Sequence, residues 1–432
     1  MSRYVIVLSN DALVYDDLAY LQKLPNFSRI WERTARVEQI RSVYPTLTYP
    51  CHTTLMTGNY PDRHGIVHNE TPQLLCRSAA WHHFRADVRG TDLFDAAKAA
   101  GLRTAAVSWP VTGNHPSIDY LINEYSPQTP DESLRECYAH SGSSCEVLEK
   151  VVDANLHLHR IGVHPYYDAF VYGCACSIIR AFQPNLLMIH PANIDGYRHS
   201  TGMFSDLVLH GLHEIDIWLG DILKACEDTG IYEETDFFLV SDHGQLNIRR
   251  MLSLNAVLCE NGLIDLDAEG NIVDFTAFAK SCSLSAQVYL KHPEDEAARK
   301  KTQTVLQRLC DDGVYGITRV YTAAEAAREE HVAGGFSFML EGDGFTAFEN
   351  DWHRPLVHSA EFSDYRVGRA THGHHPDKGP QPTLMAFGPH IRAGALLKQA
   401  ALVDEAPTFA RALGIHLGDT DGSCLEALLR DC

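Results

Sequence analysis

The residues best suited to chemistry in this sequence are aspartates and histidines that flank short apolar runs. Three aspartates and three histidines have this placement: Asp11, Asp195, His199, Asp242, His243 and His372. Carboxylate oxygen together with imidazole nitrogen is a donor set that suits Zn²⁺, with Mn²⁺ or Fe as alternatives. The chain has 24 histidines, and we predict two metal sites with mixed nitrogen and oxygen ligands.

A threonine supplies a nucleophile for such metal ions. The segment from Tyr44 to Gly58 has the pattern of strand, turn and helix, with Pro50 in the first helical turn and Gly58 at the helix end. Thr48 then lies at a helix N-terminus, where free N–H groups and the helix dipole favour an anion. A metal-bound hydroxyl there could ionise near neutral pH and attack phosphorus. Thr46 is the nearest competing hydroxyl.

The elements that must position these side chains alternate along the chain. Strands are predicted over Tyr4–Ser9, Val37–Tyr44, Arg103–Trp109, Asn185–His190, Asp236–Ser241 and Thr383–Phe387. Helices are predicted over Phe27–Ala35, Thr91–Ala100, Phe204–Thr229 and Glu405–Leu413. This alternation is typical of an α/β fold with a mainly parallel sheet covered by helices on both faces. Small molecules and ions that bind to such sheets lie beyond the carboxyl ends of the strands. Most of the six aspartates and histidines named above fall there.

Two stretches interrupt the alternation. Residues 111–182 carry Pro, Ser, Tyr and Cys without clear periodicity. Residues 257–350 combine a helix over Glu294–Cys310 with antiparallel strands around Val314–Tyr321 and Gly335–Phe348. We therefore predict a discontinuous core over residues 1–256 and 351–432, and an inserted α+β cap or lid over residues 257–350. Residues 111–182 could contribute to that cap.

The composition disfavours several classes of partner. Lys+Arg 36 against Asp+Glu 56 gives a formal net charge of −20, which argues against a nucleic-acid duplex or an anionic membrane as the main partner. No apolar stretch approaches the roughly 18–20 residues that span a bilayer. A short β-type run follows Arg3 and leads directly into polar residues, which is not the pattern of a signal peptide. The 12 cysteines are scattered, so we expect reduced thiols in a cytoplasm.

Several motifs together carry a family resemblance. Thr48-Tyr49-Pro50, with the run Thr57–Asn69, resembles the nucleotide pyrophosphatase/phosphodiesterase family of the alkaline phosphatase superfamily. The remaining motifs follow in the order that this family uses: Asp11, Asp195 with His199, Ser241-Asp242-His243-Gly244, and His372-Gly373. The resemblance covers roughly residues 1–110, 184–250 and 365–392, and it weakens between them.

The resemblance implies an alkaline-phosphatase-like fold and a site for two zinc ions. One ion would be held by Asp11, Thr48, Asp242 and His243, and the other by Asp195, His199 and His372. Thr48 would form a covalent phospho-threonine intermediate, while Asn69 and the Thr48 backbone N–H would hold a phosphoryl oxygen. His374 and His375 compete with His372 as ligands, but the His-Gly spacing favours His372.

Four positions depart from the family pattern: Ala12, Leu47, Tyr49 and Cys51 stand where Gly, Lys, Phe and Asn are usual or common. None of these changes removes a ligand, but they leave the pocket for the organic part of the substrate undefined. Tyr49 and Trp109 could stack on a base or an aryl group, but an aromatic residue near a pocket more often forms part of its wall.

The predicted function is hydrolysis of phosphodiester or pyrophosphate bonds in a small phosphate-ester substrate. Diesters are favoured because neither the nucleophile motif nor Asp242-His243-Gly244 contains an arginine for a second phosphoryl oxygen. An alternative on the same site is a phosphonate hydrolase similar to phosphonoacetate hydrolase, or a phosphomonoesterase. A third hypothesis is a metal-binding protein without catalysis. The sequence makes no prediction of the oligomeric state.

Overall fold

The short apolar runs of the sequence form strands in the computed structural model, which describes residues 4–76, 79–160, 162–360 and 368–430. The strands are β1 Tyr4–Ser9, β2 Ala35–Arg41, β3 Thr104–Val107, β4 Tyr120–Ile122, β5 Leu186–Ile189, β6 Thr235–Val240, β7 Leu246–Asn247, β8 Arg250–Ser253, β9 Ile264–Leu266, β10 Ile272–Phe275, β11 Ala277–Ser281, β12 Ser285–Leu290, β13 Ile317–Thr322, β14 Phe338–Gly342, β15 Thr346–Glu349, β16 Val357–His358, β17 Ala370–Thr371, β18 Leu384–Phe387 and β19 Leu396–Ala401.

The helices fall between these strands. They are α1 Leu18–Leu21, α2 Pro25–Ile30, α3 Thr48–Thr57, α4 Pro61–His64, α5 Leu93–Ala99, α6 Leu134–His140, α7 Cys145–Val147, α8 Asp153–Asn155, α9 Tyr166–Phe182, α10 Asn193–Thr201, α11 Asp206–Asp228, α12 Leu254–Glu260, α13 Glu296–Asp312, α14 Ala323–Glu330 and α15 Glu405–Leu413. Among the described helices, none combines the length and the apolar character that crossing a bilayer requires.

The central sheet has eight strands in the order β19-β2-β18-β6-β1-β5-β3-β4. Its neighbours are parallel except for β18, which runs antiparallel to both β2 and β6. The prediction of an α/β fold with a mainly parallel sheet is therefore confirmed. Because β18 is reversed, the residues that precede it reach the edge where β1, β5 and β6 end. This reversal brings His372 to the carboxyl edge of the sheet.

Helices cover both faces of this sheet. Alternate residues of β1 point to opposite sides, so that Ile6 packs in a cluster with α9 and α11, while Val7 packs in a cluster with α3, α5 and α15. Helix α9 lies within residues 111–182 and contacts both α11 and β5. This part of the stretch therefore belongs to the helical layer of the central sheet.

A second, antiparallel sheet of four strands forms in the order β11-β12-β14-β13. It has its own hydrophobic cluster, to which Val288, Leu306 and Leu340 contribute. The prediction of antiparallel strands around Gly335–Phe348 is wrong for β15. This strand pairs in parallel with β8 in a separate three-stranded sheet. Pairing direction depends on a partner that is distant in the chain, which the local pattern does not identify.

Two element boundaries also differ from prediction. The helix predicted over Phe27–Ala35 is shorter: α2 ends at Ile30 and a helical turn follows it. The helix cannot continue to Ala35, because Ala35 begins β2 and pairs with β18. The strand predicted to reach Tyr44 ends at Arg41. The residues after it form a turn into α3, and the Ser42 hydroxyl donates to the Asp242 carbonyl at 2.6 Å. This turn ties the start of α3 to the end of β6.

Candidate active site

Helix α3 presents Thr48 at its first turn. Leu47, the N-cap, is extended, and Gly58 ends the helix with φ 69°, a conformation that favours glycine. The Thr48 side chain is buried, with its Oγ1 3.3 Å from His243 Nε2. The competing Thr46 hydroxyl instead donates to the His374 carbonyl at 2.9 Å. Thr48 is thus the hydroxyl of this turn that faces the histidines and aspartates.

Asp11, Asp242 and His243 form a first cluster of donor atoms. Asp11 follows β1 and the other two follow the parallel neighbour β6, so their side chains meet at one sheet edge. His243 Nε2 lies 3.1 Å from an Asp242 oxygen and 3.6 Å from an Asp11 oxygen. One donor atom from each of the three residues lies within 4.8 Å of the others, which is the spacing that a single cation requires.

Asp195, His199 and His372 form a second cluster with the same spacing. Asp195 and His199 are one turn apart on α10, and an Asp195 oxygen lies 3.3 Å from His199 Nε2. His199 Nδ1 donates to the Ala370 carbonyl at 2.8 Å, and His372 Nδ1 donates to the Thr46 carbonyl at 2.9 Å. These bonds leave Nε2 of each ring as the atom free to bind a metal.

The two clusters are adjacent. The rings of His243 and His372 stack with their centroids 4.0 Å apart and an interplanar angle of 13°. The structure therefore brings all six predicted metal ligands to one pocket together with Thr48. His375 does not join them, because its Nε2 pairs with Glu330 at 2.9 Å.

The charges of this pocket are unbalanced. Burial, reinforced by Asp195, raises the pKa of Asp11 well above its usual range, and burial together with Asp11 does the same for the pKa of Asp242. Among the described residues, Asp11 Oδ1 and Asp242 Oδ2 have no hydrogen-bond partner. Buried carboxylates without partners are costly unless a cation compensates them. The donor set therefore fits a bound divalent cation.

The second cluster is electrostatically different. Burial opposes the ionisation of Asp195, but the imidazoles of His199 and His372 outweigh it and hold the pKa of Asp195 below its usual range. In the first cluster, burial, reinforced by His372, lowers the pKa of His243 well below its usual range. The neutral imidazole that results is the form of histidine that binds a metal.

Two histidines that were not predicted as site residues contact the site and fix its geometry. His190 Nε2 lies 3.1 Å from an Asp11 oxygen, while its Nδ1 donates to the Ser108 carbonyl. His52 Nδ1 donates to the Thr48 carbonyl at 2.9 Å and so fixes the first turn of α3. Both positions carried a signal, because His190 directly follows β5 and His52 is four residues after Thr48 on one face of α3.

Asn69 lies beside the start of α3. Its side-chain oxygen accepts the backbone N–H of Tyr49 at 2.9 Å. Since that bond occupies the oxygen end of the amide, the Nδ2 end is the one that can donate to a ligand. This orientation agrees with the predicted contact of Asn69 with a phosphoryl oxygen.

Tyr49 and Trp109 are buried beside the site, as expected of aromatic residues that form the wall of a pocket. Tyr49 is 1% exposed and Trp109 is 0% exposed, so neither ring offers a free face. The Trp109 ring meets His52 edge to face at 4.9 Å, and its Nε1 donates to the His52 carbonyl. Trp109 therefore supports α3 from below the site.

Helix α10 is anchored by a buried ion pair. Arg198, which is 0% exposed, bonds to Asp17 and donates to the Met203 carbonyl at 2.8 Å. Asp17 in turn accepts the Val14 N–H at 2.9 Å. The pair joins the loop after Asp11 to the helix that carries the second cluster.

We expect Arg198→Ala to lower the free energy of unfolding by about 3–5 kcal/mol, because it leaves the Asp17 carboxylate buried without its compensating positive charge. Chemical denaturation measures the change. The matched control is Arg29→Ala, which breaks the exposed pair with Glu227 and should cost less than about 1 kcal/mol. Equal effects of the two substitutions would contradict the prediction.

Comparison with known proteins gives a consistent match. The family model described as Type I phosphodiesterase / nucleotide pyrophosphatase matches residues 5–339. The chain is 23% identical over 242 residues to ectonucleotide pyrophosphatase/phosphodiesterase family member 1 of Homo sapiens, covering 54% of this chain and 23% of that protein. It is 22% identical over 241 residues to venom phosphodiesterase 2 of Crotalus adamanteus, covering 52% and 24%. The match thus spans about a quarter of the length of these relatives.

Solved structures agree with this match at the level of the fold. Murine ectonucleotide pyrophosphatase / phosphodiesterase 5 superposes with a TM-score of 0.67 at 19% identity, covering 99% of this chain and 100% of that chain. An inactive variant of the same murine protein, in complex with AMP, gives a TM-score of 0.68 at 18% identity and the same coverage. The alkaline-phosphatase-like fold is therefore confirmed.

Proposed function

The chain belongs to the type I phosphodiesterase / nucleotide pyrophosphatase family, and from this we propose that it hydrolyses phosphodiester or pyrophosphate bonds of small phosphate esters. One observation carries the proposal. Thr48 Oγ1, at the head of α3, faces His243 at 3.3 Å, beside two adjacent clusters that fit divalent cations. A hydroxyl nucleophile placed beside metal-binding side chains is what metal-assisted phosphoryl transfer requires.

The residues divide the work between them. Asp11, Thr48, Asp242 and His243 would hold one cation, and Asp195, His199 and His372 the other. When bound, such ions supply Lewis-acid stabilisation of the attacking and leaving oxygens, and zinc suits the imidazole and carboxylate donors best. The Thr48 oxygen loses its proton and bonds to phosphorus as the bond to the leaving oxygen breaks. Water then hydrolyses the phospho-threonine, while Asn69 Nδ2 donates to a phosphoryl oxygen.

Two charges support diesters over monoesters. Arg198 is fully buried and committed to Asp17, so it is not available for the additional negative charge of a monoester. The carboxylate of Glu124 lies close enough to raise the pKa of Asp11, and it would repel the same charge. A diester, with one negative charge fewer, meets less repulsion in this pocket.

Three substrates test the proposal and its alternatives. We expect bis(4-nitrophenyl) phosphate to be hydrolysed with a kcat/KM at least about tenfold above 4-nitrophenyl phosphate, a difference of about 1.4 kcal/mol. A faster monoester would make the protein a phosphomonoesterase, and phosphate release from phosphonoacetate alone would make it a phosphonate hydrolase. If the metal-loaded protein hydrolyses none of the three, the non-catalytic hypothesis replaces the proposal.

Two further predictions accompany this function. A core over residues 1–256 and 351–432 with a cap over 257–350 is supported by the separate hydrophobic cluster of the second sheet.

A cytoplasmic location is supported by cysteines that occur as free thiols in the described residues, among them Cys51, Cys137 and Cys174. Cell fractionation of the tagged chain tests the location, and recovery in the culture medium would contradict it.

A further inference from the structure

A buried glutamine directly follows the motif Asp242-His243-Gly244. Gln245 is 0% exposed, and its side-chain Nε2 donates to a carboxylate oxygen of Asp195 and, at 3.2 Å, to the Asp195 carbonyl. The loop that carries Gln245 is tightly packed, because a Cβ at Gly244 would lie 2.1 Å from the Pro380 carbonyl oxygen. One amide thus joins the loop of the first cluster to the residue that begins the second cluster.

The two oxygens of the Asp195 carboxylate have different neighbours. Oδ1 accepts the Gln245 amide and lies 3.8 Å from His372 Nε2. Oδ2 lies 3.3 Å from His199 Nε2. A carboxylate that is free to rotate could turn either oxygen away from the imidazoles. The bond from Gln245 selects one rotation, in which both oxygens stay beside the other two residues of the second cluster.

The orientation of the Gln245 amide follows from its surroundings. If the amide were flipped, its oxygen would face the Asp195 carboxylate and the Asp195 carbonyl, neither of which can donate a hydrogen bond. Nε2 therefore points to Asp195. Oε1 is buried and, within the part of the chain that the structure describes, has no hydrogen-bond partner. A buried oxygen without a partner lowers stability, and a residue that keeps one at a site of this kind is a candidate for a functional role.

We propose that Gln245 is a positioning residue for the second cluster, whose amide fixes the Asp195 carboxylate and raises the affinity of that cluster for a divalent cation. The inference rests on the two-cation site of the proposed function, and it adds a residue that the predicted ligand set lacks. Glutamine suits this position because its amide donates a hydrogen bond without adding a charge. A lysine or arginine there would compete with the cation for Asp195.

A bound cation would not replace the Gln245 contact. His199 and His372 would turn their Nε2 atoms to the metal, whereas the amide nitrogen of Gln245 is a donor and does not bind a metal ion. The bond to Asp195 would then hold the carboxylate from the side opposite to the cation. Partners of this kind typically change metal affinity by about 10–100-fold.

Zinc titration of the metal-depleted protein tests the inference. A chromophoric chelator competes for the zinc, and the binding step that His199→Ala abolishes identifies the second cluster. We expect Gln245→Met, which has a side chain of similar length without a donor, to raise the Kd of that step by about 10–100-fold. The Kd of the other step should stay within about threefold, because the ligands of the first cluster are unchanged.

Gln287→Met is the matched control. Gln287 is also 0% exposed, but its Nε2 donates to the Val67 carbonyl at 2.9 Å. The same substitution there removes a buried amide bond that involves no metal ligand, and it should leave both Kd values unchanged. If Gln245→Met does not fold, Gln245→Ala and Gln287→Ala make the same comparison without filling the space with a new side chain.

Activity gives a second measurement. At a free zinc concentration near the Kd of the second step in the unchanged protein, Gln245→Met should hydrolyse bis(4-nitrophenyl) phosphate more slowly. At saturating zinc its kcat should recover to within about threefold of the unchanged protein. A kcat that stays low at saturating zinc would overturn the inference, because the defect would then lie outside metal binding.

The titration separates this inference from the proposed function. An unchanged Kd of the second step in Gln245→Met, or an equal rise in both steps, overturns the inference while the proposed hydrolysis stands. If the unchanged protein binds fewer than two zinc ions, the two-cation site fails and the inference falls with it.

Discussion

Replacing Thr48 with alanine is expected to lower kcat for bis(4-nitrophenyl) phosphate by at least about 10⁴-fold, the scale on which removing a covalent nucleophile acts in other hydrolases. Thr48 Oγ1 is the hydroxyl that faces His243 at the start of α3. Without it, the hydroxyl that would accept the phosphoryl group is missing. Initial rates of nitrophenolate release measure the effect.

Two further variants distinguish the loss of the nucleophile from a loss of the folded structure. Thr46→Ala removes the neighbouring hydroxyl, which donates to the His374 carbonyl and has no part in the attack, so its turnover should stay within about threefold, or about 0.7 kcal/mol, of the unchanged chain. Thr48→Ser keeps a hydroxyl and should retain measurable activity. Thr48→Ala should keep the melting temperature of the unchanged protein, and it should still bind metal through the remaining ligands Asp11, Asp242 and His243. Full turnover by Thr48→Ala would contradict the covalent mechanism.

The positions of the metal ligands could be predicted because strand ends share an edge. Asp11 and Asp242 follow adjacent parallel strands, and a buried apolar run followed by an acid is visible in the sequence. His372 precedes a strand, and its place at the same edge depends on the antiparallel direction of β18. That direction is a long-range property, so the motif order of the family was needed to place His372 with the others.

The surroundings of the ligands could not be predicted in the same way. Tyr49 is covered because Trp81 pairs with Glu70, and nothing in the local pattern of residues 79–84 indicates this contact. Arg198 has a charged side chain on an amphipathic helix, for which solvent is the usual environment. It is buried because Asp17, 181 residues earlier, supplies its partner. Such pairings are decided by tertiary structure.

Asp242 gives the second large expected effect, because its contribution to stability should change sign with metal. Its carboxylate is fully buried, and Asp11 acts with burial to raise its pKa. A cation between them would turn this repulsion into attraction. In the chelated protein, an amide at position 242 removes one negative charge and can donate to the Asp11 carboxylate. In the loaded protein, the amide is a poorer ligand than the carboxylate.

Asp242→Asn should therefore raise the free energy of unfolding of the chelated protein by about 1–3 kcal/mol, while it lowers both the metal content and the stability of the loaded protein. Denaturation with and without chelator, together with elemental analysis, measures both effects. Asp216→Asn is the control, because Asp216 is also buried but already accepts the N–H groups of Asn26 and Phe27. It should destabilise both forms. If Asp242→Asn destabilised both forms by the same amount, the buried carboxylates would be satisfied without a cation, and the two-metal site would have to be abandoned.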